Sequence, residues 1–209
     1  MSGGWERLAF IELTGNATEM DTANDSSFVG NDFPARDNLF IEIQTVPNST
    51  SSIDLTFNVG GSTTAGVYNY KYQNNAVAQA SSTNQTEVDL QFSTTNDQTS
   101  TNCGTVFNID GQEKLGVFDG VYYDGLIATG TIPDVRQLWV KWATTSGQIQ
   151  RVIITGDNSE TGFASGSSLT VWGSADKDPP SLPNGSVFIT NDTNVHYMWD
   201  GTDTWNEVA

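Results

Sequence analysis

The chain has 209 residues and sets 25 acidic side chains against 8 basic ones, a formal net charge of −17. Such a surface repels phosphate backbones and anionic lipid, so nucleic-acid binding and membrane insertion are set aside. Aromatics at 11% of residues exclude an acidic disordered chain, which is poor in them.

The N-terminus, Met1 to Arg7, has no apolar h-region, and no apolar run reaches the length of a membrane span. The expectation is synthesis in a cytoplasm without a signal peptide. The N-x-[ST] sequons, among them Asn16 and Asn48, are then chance in an Asn/Ser/Thr-rich chain.

Period-two alternation dominates the sequence from there. Trp5 to Leu13 begins it. Leu39, Ile41 and Ile43 share one face of a strand over 39–46, and Ile53, Leu55, Phe57 and Val59 share a face over 53–59. Tyr68, Tyr70 and Tyr72 align next, followed by Val88, Leu90 and Phe92. The best helical stretch, Asn74 to Ser81, is too short to make a convincing helix. The second half predicts strands over 105–109, 115–123, 137–143, 148–155 and 168–172. Trp139 and Trp142 differ by three positions and so face opposite ways in a strand. Gly, Asn, Asp, Ser and Thr clusters between these runs supply turn geometry.

These elements predict an all-β chain, an antiparallel β-sandwich of jelly-roll type over residues 1–173. Residues 174–181 include Pro179 and Pro180, which favour an extended linker. Residues 182–209 form a small three-stranded β-meander with strands over 186–190, 195–199 and 204–208. A unit that small needs a neighbour. Tyr197, Trp199 and Trp205 are its candidate partner-binding residues, because buried aromatics dominate interface energetics.

Chemistry is sparse. His196 is the single histidine and Cys103 the single cysteine. No nucleophile–base pair and no Cys/His ligand cluster is visible, so no catalytic residue and no metal ligand is assigned. Carboxylates such as Asp119, Asp124 and Asp157 fall in segments read as turns. No cofactor is expected. The acidic stretches 21–32 and 200–207 carry enough oxygen for calcium, but neither has the spacing of a known calcium loop.

Four segments of the larger unit carry a resemblance. Leu39-Phe40-Ile41-Glu42-Ile43, then Leu55-Thr56-Phe57-Asn58, then Tyr68-Asn69-Tyr70, with the closing run Phe163-Ala164-Ser165-Gly166-Ser167 to Val171-Trp172-Gly173, resemble a family of tailed-phage virion structural proteins. The tail, from Leu182-Pro183-Asn184-Gly185 to Trp199-Asp200-Gly201-Thr202 and Trp205, is similar to a small module appended to phage structural proteins. The resemblance implies a non-enzymatic particle component, a capsid decoration or a tail-attached appendage. Its expected partners are other virion proteins and further copies of itself. The competing expectations are a carbohydrate- or receptor-binding module contacting a host surface glycan, and a hydrolase built on a carboxylate pair.

Overall fold

The computed structural model describes residues 5–25, 32–46, 52–59, 67–74, 79–92, 99–122, 133–156, 162–174, 187–189, 196–199 and 205–208. The chain divides into two compact units, one of them Trp5–Ser174 and the other containing the C-terminal strands. In the larger unit the strands are β1 (Trp5–Glu12), β2 (Glu19–Asp21), β3 (Asn38–Thr45), β4 (Ser52–Val59), β5 (Tyr68–Asn74) and β6 (Ala80–Gln85). They continue as β7 (Val88–Phe92), β8 (Ser100–Phe107), β9 (Lys114–Tyr122), β10 (Asp134–Trp142), β11 (Ile149–Gly156) and β12 (Ser168–Ser174). One 3-10 turn, Thr22–Asn24, follows β2.

The sheets are antiparallel. An eight-stranded sheet runs β1-β12-β3-β8-β9-β10-β5-β6, and a four-stranded sheet runs β2-β11-β4-β7. Strands adjacent in sequence go to opposite sheets: β1 and β2, β3 and β4, β7 and β8, β11 and β12. The pairings β1–β12, β12–β3 and β3–β8 in one sheet match β2–β11, β11–β4 and β4–β7 in the other. This is a ribbon of paired strands wrapped around a sandwich, the jelly-roll connectivity. Two insertions, β5–β6 and β9–β10, both add to the same sheet and double its width.

The alternation seen in the sequence is the alternation that fills the core. Leu39, Ile41 and Ile43 from β3 are buried with Leu169 and Val171 from β12, against Ile53, Leu55 and Phe57 from β4 and Val152 and Ile154 from β11. Trp142 stacks on Tyr68 at 6.1 Å between ring centroids, and both rings meet Phe57. Burying side chains of this size contributes about 1.5–3 kcal/mol each. Glycine is required at Gly104, where an added Cβ would overlap the Phe118 ring of the neighbouring strand.

Several local expectations change. Residues 80 and 81, at the end of the stretch read as too short for a helix, lie in strand β6, paired antiparallel with β5; residues 75–78 of that stretch lie outside the described residues. β8 begins at Ser100 rather than at 105: residues 100–104 pair with β3 and β9, and Ser100 and Asn102 are buried polar residues, so no apolar alternation marked them. Asp119 is in mid-strand rather than in a turn, and Cys103 is likewise within β8. Asp124 and Asp157 lie outside the described residues.

In the C-terminal unit β13 (Val187–Ile189), β14 (His196–Trp199) and β15 (Trp205–Val208) form an antiparallel meander. Phe188 registers with Tyr197, and Trp199 with Trp205. The proline pair 179–180 lies outside the described residues.

Candidate functional site

A sheet that packs on one side only should turn polar residues outward. The eight-stranded sheet does not, in its wide half. β8 presents Thr101, Cys103, Thr105 and Phe107 outward, and β9 presents Leu115, Val117, Asp119 and Val121, while the intervening residues of both strands are buried. Phe107 is 57% exposed, Leu115 52%, Val135 49% and Val121 48%. Single exposed apolar residues need no explanation, but here they come in register pairs: Phe107 with Leu115 across β8 and β9, and Val121 with Val135 across β9 and β10.

The strand registers order them into rows. One row runs Trp172, Phe40, Thr105, Val117, Trp139, Lys71 across β12, β3, β8, β9, β10 and β5. A row on one side holds Phe107, Leu115 and Lys141. The row on the other side holds Glu42, Cys103, Asp119 and Gln137, and beyond it lie Thr101, Val121 and Val135. Trp5 from β1 extends the apolar surface, its ring meeting Phe40 edge-on at 6.3 Å. With strands ~4.8 Å apart and rows ~6.6 Å apart, the six central strands offer roughly 600 Å².

The charges on this face are few, two acids and two bases on the strands, with Glu113 at the edge paired to Lys141. Glu42 and Asp119 are its acids, and Lys71 and Lys141 its bases. Most are already engaged. Trp172 Nε1 donates to Glu42 at 2.6 Å, Gln137 Nε2 donates to Asp119 at 2.8 Å, and Lys141 Nζ is 2.8 Å from Glu113. Partial burial pushes the Cys103 thiol up, with Asp119 and then Glu42 adding to it, so the thiol is a weak nucleophile at neutral pH. Gln73, Asp119, Gly120, Val121, Val135, Arg136 and Gln137 line an open depression of about 360 Å³ at this end of the face.

Elsewhere, polar clusters hold the fold. Asp21 receives both Arg151 Nε, at 2.8 Å, and Arg151 Nη2, and it caps the 3-10 turn through the Ala23 N–H at 2.9 Å. That uses the first carboxylate of the acidic stretch 21–32. Among the described residues no three His, Cys, Asp or Glu side chains are grouped to hold a metal ion. The stretch 200–207 is described only from Trp205.

The sequence candidates Tyr197, Trp199 and Trp205 fall on β14 and β15. In the register of the meander Phe188 is opposite Tyr197, and Trp199 is opposite Trp205. Sequence reasoning did not single out Phe107, Leu115, Val117, Val121 or Val135. The signal was present in β9, where both parities of the strand carry apolar residues: Leu115, Val117 and Val121 on one, Phe118 and Tyr122 on the other. Trp139 and Trp142 do face opposite ways, with Trp142 buried and Trp139 half-buried on the outer face.

Comparison with family models, with curated proteins and with solved structures finds no match to this chain.

Proposed function

We propose that this protein is a non-enzymatic structural subunit of a phage particle, a capsid decoration or tail-attached appendage. It acts by protein–protein contact through the outer face of its eight-stranded sheet. The observation that carries the contact reading is the outer face around Val117, where exposed apolar side chains stand among few charges on a chain whose net charge is −17. Exposed apolar side chains set among polar ones on a sheet face mark interaction surfaces. The assignment to a particle rests on the resemblance of segments 39–43, 55–58, 68–70 and 163–173 to phage virion proteins. A jelly roll without disulfides suits assembly in a reducing cytoplasm. Tyr197, Trp199 and Trp205 supply a second contact surface on the small unit.

A glycan-binding reading has one observation in its favour. The depression lined by Gln73, Asp119 and Gln137 sets amide and carboxylate groups beside apolar Val121 and Val135, a mixture that suits sugar hydroxyls and ring faces.

The test is purification of intact particles from the protein's source, with the chain quantified by mass spectrometry. The proposal expects a fixed copy number per particle, lost on Val117→Glu. Absence of the chain from particles overturns the virion reading. Incorporation of Val117→Glu at parental level overturns the role of the face.

A further inference from the structure

We infer that the outer face of the eight-stranded sheet pairs with the same face of a second copy, about a two-fold axis running along the seam between β8 and β9. This deepens the contact reading above and rests on it.

Charge selects the kind of partner. A basic partner would be drawn to any of the acidic surface, and would gain least here, where Glu42 and Asp119 are offset by Lys71 and Lys141. A second copy carries the same −17. It can approach closely only where the local charge is balanced, with the remaining like charges held outside and screened over ~8–10 Å at physiological salt. The face of roughly 600 Å² comes near the ~800 Å² per partner of a standard interface.

The registers select the axis. A two-fold interface sets residue i on residue j and j on i. An axis parallel to the strands along the β8/β9 seam exchanges β8 with β9, β3 with β10 and β12 with β5. It sets Phe40 over Trp139, Thr105 over Val117 and Phe107 over Leu115. It also sets Trp172 over Lys71, a cation on an aromatic face, and Glu42 over Gln137. An axis along β9 would place Asp119 on its own copy. One along β8 would place Glu42 on Asp119. Both juxtapose like charges, which costs affinity. The β9/β10 seam would set Val117 over Trp139 and Val121 over Val135, but it would set Phe107 over Asn69 and Leu115 over Lys141, leaving the two most exposed apolar side chains of the face on polar ones. Aligned face-to-face packing of two sheets is ordinary sandwich geometry, with the sheets ~10 Å apart.

The single cysteine makes the geometry measurable. Cys103 lies on β8, next to the proposed axis. Across the seam the two copies would hold their Cys103 Cα atoms about 11 Å apart, from one strand spacing and one sheet spacing.

The experiment is sedimentation equilibrium of the full chain, with crosslinking by a short bis-maleimide at mildly alkaline pH. The inference expects a dimer that tightens as salt is raised, and a single covalent dimer band lost on Cys103→Ser. Val117→Glu should weaken association by a factor on the order of a hundred, since it sets an unpaired carboxylate in the contact. Gln137→Lys should strengthen association through Glu42 of the other copy, and Gln137→Glu should weaken it. Unchanged melting temperatures of these outward-facing variants establish that they fold. Dimers without a Cys103 crosslink, or dimers indifferent to Val117→Glu, overturn the inference. A chain monomeric at every concentration overturns it too. If Val117→Glu is then still lost from particles, the face docks another protein and only the self-pairing fails. If Val117→Glu enters particles normally, the contact reading falls with it.

Discussion

Asn108 and Ile149 exchange two hydrogen bonds: the Ile149 N–H donates to Asn108 Oδ1 at 2.6 Å, and Asn108 Nδ2 donates to the Ile149 carbonyl at 3.0 Å. A side-chain amide thereby imitates a paired strand and ties the end of β8, in the large sheet, to the start of β11, in the small one. The same Nδ2 also donates to the Arg36 carbonyl at 2.8 Å, and Asn108 is fully buried. Asn108→Ala strands these backbone groups without partners. We expect a loss of about 2–4 kcal/mol, from the cost of leaving buried polar groups unmade, measured by urea unfolding. A loss below ~0.5 kcal/mol would mean that water replaces the amide at little cost.

Arg136 and Asp89 join the sheets at the other side of the core. Arg136 Nη1 lies 3.2 Å from Asp89 Oδ1, with the Arg side chain fully buried and its guanidinium 4.4 Å from the Tyr72 ring centroid. Burial pushes the guanidinium down from its ordinary range, and Asp89 pushes it back up. Removing one partner leaves an uncompensated buried charge, so Asp89→Ala should cost about 3–5 kcal/mol. The double variant Arg136→Met with Asp89→Leu should recover most of that. A double variant no more stable than Asp89→Ala would mean that the pair stabilises the fold beyond what apolar packing can supply.

Tyr68 sets an alkaline limit. β7 pairs with β4 only as far as Leu55, and beyond it the Tyr68 hydroxyl takes over. It accepts from the Phe57 N–H at 2.6 Å and donates to the Phe57 carbonyl at 3.3 Å. Burial, chiefly, holds the phenol well above the ordinary tyrosine range, and burial pushes Tyr70 the same way. The folded chain therefore keeps these protons when the unfolded chain releases them. Their contribution is complete below pH ~10, the unfolded value, and is lost as pH rises above it. Stability against urea should fall steadily from pH 10 upward. Tyr68→Phe should lower stability at pH 7 by about 1–2 kcal/mol and flatten the alkaline slope. A slope unchanged in Tyr68→Phe would assign the alkaline loss to other groups.

What was legible in the sequence follows from which faces were dry. Leu39, Ile41, Ile43 and Leu55, Phe57 mark β3 and β4 because, Phe40 apart, the residues between them are polar. β6, with the sequence Ala-Ser-Ser-Thr-Asn-Gln, lacks an apolar parity since it is an edge strand largely exposed to solvent. β2 is three residues long and too short to show a period. The connectivity was legible only as a class, because neighbours in sequence such as β11 and β12 part to opposite sheets, and alternation does not say which.

The outer face escaped for a related reason. In β9 the residues of the inner parity include Gly116 and Gly120, while Leu115, Val117 and Val121 occupy the outer one. Read alone, the strand's apolar side looks like the core side. Only the position of Phe118 and Tyr122 against the second sheet reverses that reading. The strands that carry Trp199 and Trp205 were legible, and the two residues register with each other across β14 and β15.

The most direct measurement is hydroxyl-radical footprinting of side chains, comparing the chain in its assembled state with the dilute purified chain. Phe107, Leu115, Val117, Val121 and Val135 report the outer face, and Val67 and Ile109, exposed outside the strands, serve as references. The account predicts that oxidation of the five falls several-fold on assembly relative to Val67 and Ile109. Equal oxidation of the five in both states would contradict it.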